Sequence, residues 1–279
     1  MIDPVVTTQW LSDRIAASKA EGAGDVVVAD VRCYLDGRSG REAYLRGHLP
    51  GAVFVDLDGC LAGRGGPLVG RHPLPAPEVF AAGMRRAGIS DATTVVAYDD
   101  AGGVIAARLV WMLRVTGHDA ALLNGGLGGY EGPLDDGEVT RPPGAFSPVD
   151  WPSDRLAGID DLEGPGLVLL DARDRSRFEG GVEPIDPRRG HIPGARNLPC
   201  RENLDADGTI LPPSKLRERF AAAGVNDATA VVSYCGSGVT ACFNLLALEL
   251  AGFPPGRLFP GSWSQYSHAA DRPVAEGPA

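Results

Sequence analysis

The stretch VVSYCGSGVT, residues 231–240, decides the fold and the chemistry of this 279-residue chain. It starts with a short apolar run, which is typical of a strand buried on both faces. The segment CFNLLALELA, residues 242–251, follows with the composition of a helix that stops at Gly252. This order of strand, small-residue loop and helix places Cys235 at the carboxyl end of a parallel strand, where α/β sheets bind ligands.

The loop after Cys235 has the composition of an anion-binding loop. Gly236 and Gly238 let the backbone curl with its N–H groups facing one point, and Ser237 and Thr240 add hydroxyl donors. The N-terminus of the following helix also favours negative charge, so the loop favours a thiolate over a thiol. We therefore predict a sulfur nucleophile beside a pocket for an anion, against the alternative of a small buried cysteine.

The sequence also repeats itself once. Gly-His-x-Pro-Gly-Ala occurs at residues 47–52 and 190–195, and the apolar runs that end at Asp30 and Tyr98 recur as the runs that end at Asp171 and Tyr234. Alternating strands and helices in each copy predict an α/β fold of two tandem domains, each a mostly parallel sheet flanked by helices. We expect domains over residues 1–132 and 153–279, joined by the Pro- and Gly-rich linker 133–152.

The first copy differs at the decisive position. Its loop reads DDAGGV over residues 99–104, so Asp99 stands where the second copy has Cys235. A carboxylate cannot carry a transferable sulfur and would repel an anion. We expect the first domain to be catalytically silent and to supply one wall of the site.

Composition excludes several classes of protein. A net charge of −10 argues against nucleic-acid binding. Five cysteines without a Cys-x-x-Cys pair predict neither a disulfide framework nor a metal site, and they suit a reducing compartment. Charges interrupt every apolar stretch before the ~20 residues of a membrane helix, and no signal peptide is evident. We expect a cytoplasmic protein that binds neither membrane nor metal.

The repeated Gly-His-x-Pro-Gly-Ala motif and the cysteine loop of the second copy resemble two-domain rhodanese-like sulfurtransferases over nearly the whole chain. The loop Cys235-Gly236-Ser237-Gly238-Val239-Thr240 is most similar to that of 3-mercaptopyruvate sulfurtransferases. Members that prefer thiosulfate usually carry basic residues in place of Gly236 and Ser237. The resemblance therefore implies sulfur transfer from 3-mercaptopyruvate through a Cys235 persulfide to cyanide, a thiol or a thioredoxin-like acceptor, without a cofactor.

The resemblance also implies roles for residues outside the loop. Asp171 would help to hold the active loop and belong to the catalytic set with Cys235 and Ser237. Arg177 and Arg188 would bind the substrate anion, as an Arg fork suits a carboxylate. The loop residues Gly236, Gly238, Val239 and Thr240 would contact the substrate as well. Two further residues would line the substrate pocket, namely His48 and Trp263. In this scheme His48 would also act with Ser237, with Glu42 or Asp36 as the acid.

Three alternatives stay open from the sequence. Thiosulfate is the alternative donor, and a non-catalytic persulfide carrier or binding module is the alternative from another functional class. A cysteine phosphatase needs an arginine six residues after the nucleophile. Residue 241 is alanine, which argues against that activity.

Overall fold

The computed structural model describes residues 1–21 and 26–278. The chain divides into two compact units. The first comprises Met1–Ala62, Pro75–Trp151 and Asp205–Ile210, and the second comprises Gly63–Leu74, Pro152–Leu204 and Leu211–Ala279. A segment from the first half of the sequence, Gly63–Leu74, therefore belongs with the second unit.

The first unit is built on a five-stranded parallel sheet with the strand order β1-β5-β4-β2-β3. Its strands are β1 Val5–Val6, β2 Val26–Asp30, β3 Val53–Phe54, β4 Thr94–Tyr98 and β5 Ala120–Leu123. Its helices are α1 Thr8–Glu21, α2 Gly40–Arg46, α3 Pro77–Arg86 and α4 Ala107–Val115. All five residues of β4 are buried, as expected for a strand covered on both faces.

The second unit carries a four-stranded parallel sheet with the order β7-β6-β8-β9. Its strands are β6 Leu167–Asp171, β7 Arg196–Asn197, β8 Ala230–Tyr234 and β9 Arg257–Leu258. Its helices are α5 Arg175–Phe178, α6 Pro213–Ala222, α7 Ala241–Leu250 and α8 Ser262–Tyr266. The two tandem α/β domains with parallel sheets are as the sequence predicts.

Local chemistry sets the ends of the longer helices. Proline stands at the first turn of α3 and of α6, where its missing N–H costs no helical hydrogen bond. Glycines in the left-handed conformation follow α6 and α7, at Gly224 and Gly252. Of the ten residues of α7, eight are buried, so this helix packs as a core element directly behind the cysteine loop.

Each unit has its own apolar core. Val28, Val96 and Leu123 lie in the core of the first, and Leu169, Val232 and Phe259 lie in the core of the second. Within the described residues, no helix combines the length and the apolar character needed to cross a membrane.

Candidate active site

Cys235 follows the last residue of β8, and its loop leads into α7. The Gly238 N–H donates to Cys235 Sγ across 3.1 Å, and the Cys235 N–H donates to Ser262 Oγ at 3.1 Å. Gly238 has φ +78°, and a Cβ there would lie 2.5 Å from the Pro260 carbonyl oxygen. Only glycine fits this position, which turns a backbone N–H onto the sulfur. The loop therefore turns the Gly238 N–H onto Sγ, and this contact is called the N–H cradle below.

The corresponding loop of the first unit shows what such a cradle binds. Asp99 is fully buried, and its carboxylate accepts the N–H groups of Ala101, Gly103, Ile105 and Ala106 at 2.7–2.9 Å. Four N–H donors around one carboxylate are an anion site filled by the chain's own side chain. This gives a physical reason for the expected silence of the first domain, because its cradle has no room for a ligand.

Ser237 in the cysteine loop has a histidine partner within the second unit. Its Oγ lies 2.8 Å from His72 Nδ1. Sequence reasoning missed His72, although two signals mark it. The stretch between the repeated motifs is longer in the first half, and this extra length includes the Gly- and Pro-rich run GRHPLP, residues 70–75.

The prediction that His48 contacts substrate is wrong. Its side chain is fully buried in the first unit, where Nδ1 lies 3.0 Å from the Tyr44 carbonyl oxygen and the ring stacks on the Tyr44 ring. His191 stacks on Phe178 in the second unit in the same way. The repeated histidine is thus a structural part of the turn in both units. Its expected acid partners are exposed and pair with nearby arginines: Glu42 with Arg46, and Asp36 with Arg38.

Arg177 and Arg71 provide the positive charge at the cysteine loop. A Cβ built on Gly236 would lie 3.1 Å from Arg71 Nη2 and 3.5 Å from Arg177 Nη1. Terminal nitrogens of both guanidiniums therefore lie beside the start of the loop. Arg177 was predicted from the resemblance, whereas Arg71 was not. Both arginines also pair with carboxylates of the segment 183–186.

Arg188 is not the second substrate arginine. Its guanidinium donates to the carbonyl oxygens of Tyr266, Ser267, Ala269 and Arg272 at 2.7–2.8 Å. These bonds engage every nitrogen of the side chain in holding the chain after α8. Its position near Arg177 in the sequence made it the expected candidate, but its side chain has a structural role.

Asp171 and Trp263 are scaffold residues: the predicted part of Asp171 in holding the active loop fits its contacts, whereas direct contact of either residue with substrate does not fit their burial. Both side chains are fully buried. The Asp171 carboxylate accepts hydrogen bonds from Arg173 at 2.6–3.0 Å and from the Tyr234 hydroxyl. The first unit has the same arrangement, although its corresponding loop carries no cysteine. Trp263 donates its backbone N–H to the Cys235 carbonyl at 2.9 Å and its indole N–H to the Arg188 carbonyl. They position the strand end and the loop rather than contacting a ligand.

The remaining loop residues stay candidates for substrate contact. Gly236 accepts the Ser264 N–H at its carbonyl, which fixes the start of the loop. Val239 is buried, and the Thr240 hydroxyl bonds the thiol of Cys200. Substrate contacts of Gly236, Gly238, Val239 and Thr240 are predictions that rest on their backbone N–H groups.

Comparison with known proteins agrees with this site. The sequence profile of the rhodanese-like domain matches residues 7–132 and 158–269. A Pseudomonas aeruginosa protein named for 3-mercaptopyruvate sulfurtransferase activity is 42% identical over 285 residues, covering 98% of each chain. A Mycobacterium tuberculosis protein named for thiosulfate instead is 41% identical over 271 residues, covering 92% of this chain and 93% of the relative. The crystal structure of 3-mercaptopyruvate sulfurtransferase SseA from Escherichia coli superposes with a TM-score of 0.80 at 32% identity, covering 94% of this chain and 99% of the other.

The chain belongs to the rhodanese family, as a member with two rhodanese-like domains. Its relatives over the whole chain are sulfurtransferases, and the predicted class of enzyme is thereby confirmed.

Proposed function

We propose that this enzyme takes sulfur from 3-mercaptopyruvate, holds it as a persulfide on Cys235, and passes it to a thiol, a thioredoxin-like acceptor or cyanide. The observation that carries this proposal is the convergence of three features on one loop. They are the Sγ atom in its N–H cradle, the Ser237–His72 contact at 2.8 Å, and the two arginine nitrogens directed at Gly236.

In the first half-reaction the Cys235 thiolate attacks the sulfur of 3-mercaptopyruvate. An S–S bond forms, the C–S bond breaks, and its electron pair leaves on carbon as the enolate of pyruvate. The substrate carboxylate lies against Arg71 and Arg177, because a guanidinium nitrogen and a carboxylate oxygen form a strong charge-assisted bond. The Ser237 hydroxyl, which contacts the His72 ring, donates a hydrogen bond to the enolate oxygen. It also delivers the proton that converts the enolate into pyruvate.

In the second half-reaction an acceptor thiolate attacks the outer sulfur of the persulfide. The acceptor leaves with that sulfur, and Cys235 returns as a thiolate. The N–H group of Gly238 stabilises the negative sulfur at the start and at the end of the cycle. Within the described residues the cysteines are thiols and form no disulfide, which supports the proposal that the enzyme works in the reducing cytoplasm.

Thiosulfate is the second candidate donor, favoured by the name of the M. tuberculosis relative. The test measures kcat/KM for 3-mercaptopyruvate and for thiosulfate with cyanide as acceptor, in the wild type and in Cys235→Ser. The proposal expects a higher value for 3-mercaptopyruvate and no turnover in Cys235→Ser. A higher value for thiosulfate would overturn the donor, and turnover by Cys235→Ser would overturn the mechanism. Loading of one sulfur without steady-state turnover would favour a persulfide carrier instead.

A further inference from the structure

The segment Glu183-Pro-Ile-Asp-Pro, residues 183–187, places two carboxylates against the arginines of the cysteine loop. Glu183 accepts from Arg177 Nε at 3.0 Å and from its Nη2 at 2.6 Å. Asp186 pairs with Arg71 Nη1 through one oxygen and lies 3.3 Å from Arg177 Nη2 through the other. The acidic side chains are only 3% and 2% exposed. Water therefore screens these charges poorly.

The segment itself holds these carboxylates in place. Glu183 Oε1 accepts the backbone N–H groups of Ile185 at 3.1 Å and Asp186 at 3.2 Å. Prolines at positions 184 and 187 restrict the backbone between and after them. Because both acids are fixed, they stay beside the arginines instead of swinging into solvent.

The ion pairs with Glu183 and Asp186 occupy only some of the nitrogens of each arginine. Arg71 uses Nη1 for Asp186 and directs Nη2 at Gly236, whereas Arg177 uses Nε and Nη2 for the acids and directs Nη1 at the same point. Arg71 Nη2 and Arg177 Nη1 lie beside Gly236 and make no hydrogen bond to Glu183 or Asp186, so each guanidinium has a terminal nitrogen available to a ligand. That arrangement suits the two oxygens of a single carboxylate.

The local charges balance. Three guanidiniums, of Arg71, Arg173 and Arg177, are linked by ion pairs to three carboxylates, of Asp171, Glu183 and Asp186. In this cluster every positive charge already has a negative one within 4 Å. A donor with one negative charge needs only the two directed N–H groups, whereas a second negative charge on the donor is opposed by the fixed acids.

We propose that Glu183 and Asp186 shift donor specificity away from a doubly charged donor. This inference deepens the proposed function and rests on it. The two carboxylates favour 3-mercaptopyruvate, a monoanion at its carboxylate, over thiosulfate, a dianion. They act through the arginines and are thus specificity-determining residues, since they do not touch the reacting sulfur.

The test uses Asp186→Asn and Glu183→Gln, which keep shape and remove charge. Glu202→Gln is the matched control, because Glu202 pairs with Arg175 and Arg219 in the same unit. The ratio of kcat/KM for thiosulfate to that for 3-mercaptopyruvate is measured with cyanide as acceptor. Burial raises the pKa of Asp186 despite the opposing charge of Arg71, so the assay is run at pH ~8, far above an ordinary aspartate pKa.

The inference predicts that the ratio rises about tenfold or more in Asp186→Asn and Glu183→Gln and stays at the wild-type value in the control, since 1.4 kcal/mol of charge repulsion is already tenfold. An unchanged ratio in both variants, or an equal rise in the control, would overturn it. The ratio shift is independent of which donor the wild type prefers. A wild type that prefers thiosulfate therefore refutes the proposed donor without deciding this inference.

A measurement on the wild type covers the case in which both variants fail to fold. Competitive inhibition is compared for pyruvate, a monoanion, and sulfate, a dianion. Stronger inhibition by pyruvate supports this shift away from a doubly charged donor. Equal or stronger inhibition by sulfate would overturn it.

Discussion

Substitution of Gly238 by alanine tests the N–H cradle on Sγ. The left-handed conformation at φ +78° costs an alanine about 1–2 kcal/mol. The new Cβ would also lie 2.5 Å from the Pro260 carbonyl oxygen, so one of the two backbones must move. Movement at residue 238 takes its N–H away from Cys235 Sγ, which it now meets at 3.1 Å.

The loss of that bond sets the expected rate effect. A hydrogen bond to a charged group contributes about 1.5–3 kcal/mol, which corresponds to roughly 10- to 150-fold in kcat/KM. The assay is formation of thiocyanate from 3-mercaptopyruvate and cyanide, together with thermal unfolding of the same preparation. We expect Gly238→Ala to lose both stability and rate.

Gly194→Ala is the matched control within the same unit. Gly194 has φ +80°, but no atom beyond its chain neighbours lies within 4 Å of its would-be Cβ. This variant should lose about 1 kcal/mol of stability and keep its rate, because only the backbone conformation is strained. If Gly238→Ala were as active as Gly194→Ala, the cradle would not contribute to catalysis and the reasoning would be refuted.

Two further predictions concern the histidine partner and the thiols. His72→Gln should lower kcat by about a hundredfold or more, the usual contribution of a positioned proton-transfer group. His268→Gln, which changes an exposed residue of the same unit, should leave kcat unchanged. Equal losses in the two variants would remove His72 from the mechanism. Burial raises the pKa of Cys60 and of Cys200 to about 12, so iodoacetamide at pH ~8 should alkylate Cys235 ahead of both. Peptide mapping would contradict this if Cys60 or Cys200 were labelled before Cys235.

The fold and the nucleophile were predictable from the sequence because their signals are local. The strand, loop and helix around Cys235 are contiguous in the sequence. The repeated motifs also show that the two halves form the same kind of sheet. Asp99 was also informative, since a single aligned position showed which copy lacks the nucleophile. The structure added that its carboxylate fills the cradle.

The partners of the loop could not be predicted because they come from distant sequence. His72 lies 165 residues before Ser237, and Arg71 lies 115 residues before Asp186. The family resemblance pointed instead to His48, in the repeated motif, and to Arg188, which lies near Arg177 in the sequence. Those side chains bond backbone carbonyls instead, a role that composition and spacing do not distinguish from ligand binding.

Mass spectrometry of the enzyme after exposure to 3-mercaptopyruvate, without an acceptor, tests the persulfide most directly. We predict that the peptide containing Cys235 gains the mass of one sulfur atom and loses it on addition of a thiol, and that Cys235→Ser gains nothing. Sulfur found on another cysteine, or turnover with Cys235 never modified, would contradict the proposed mechanism.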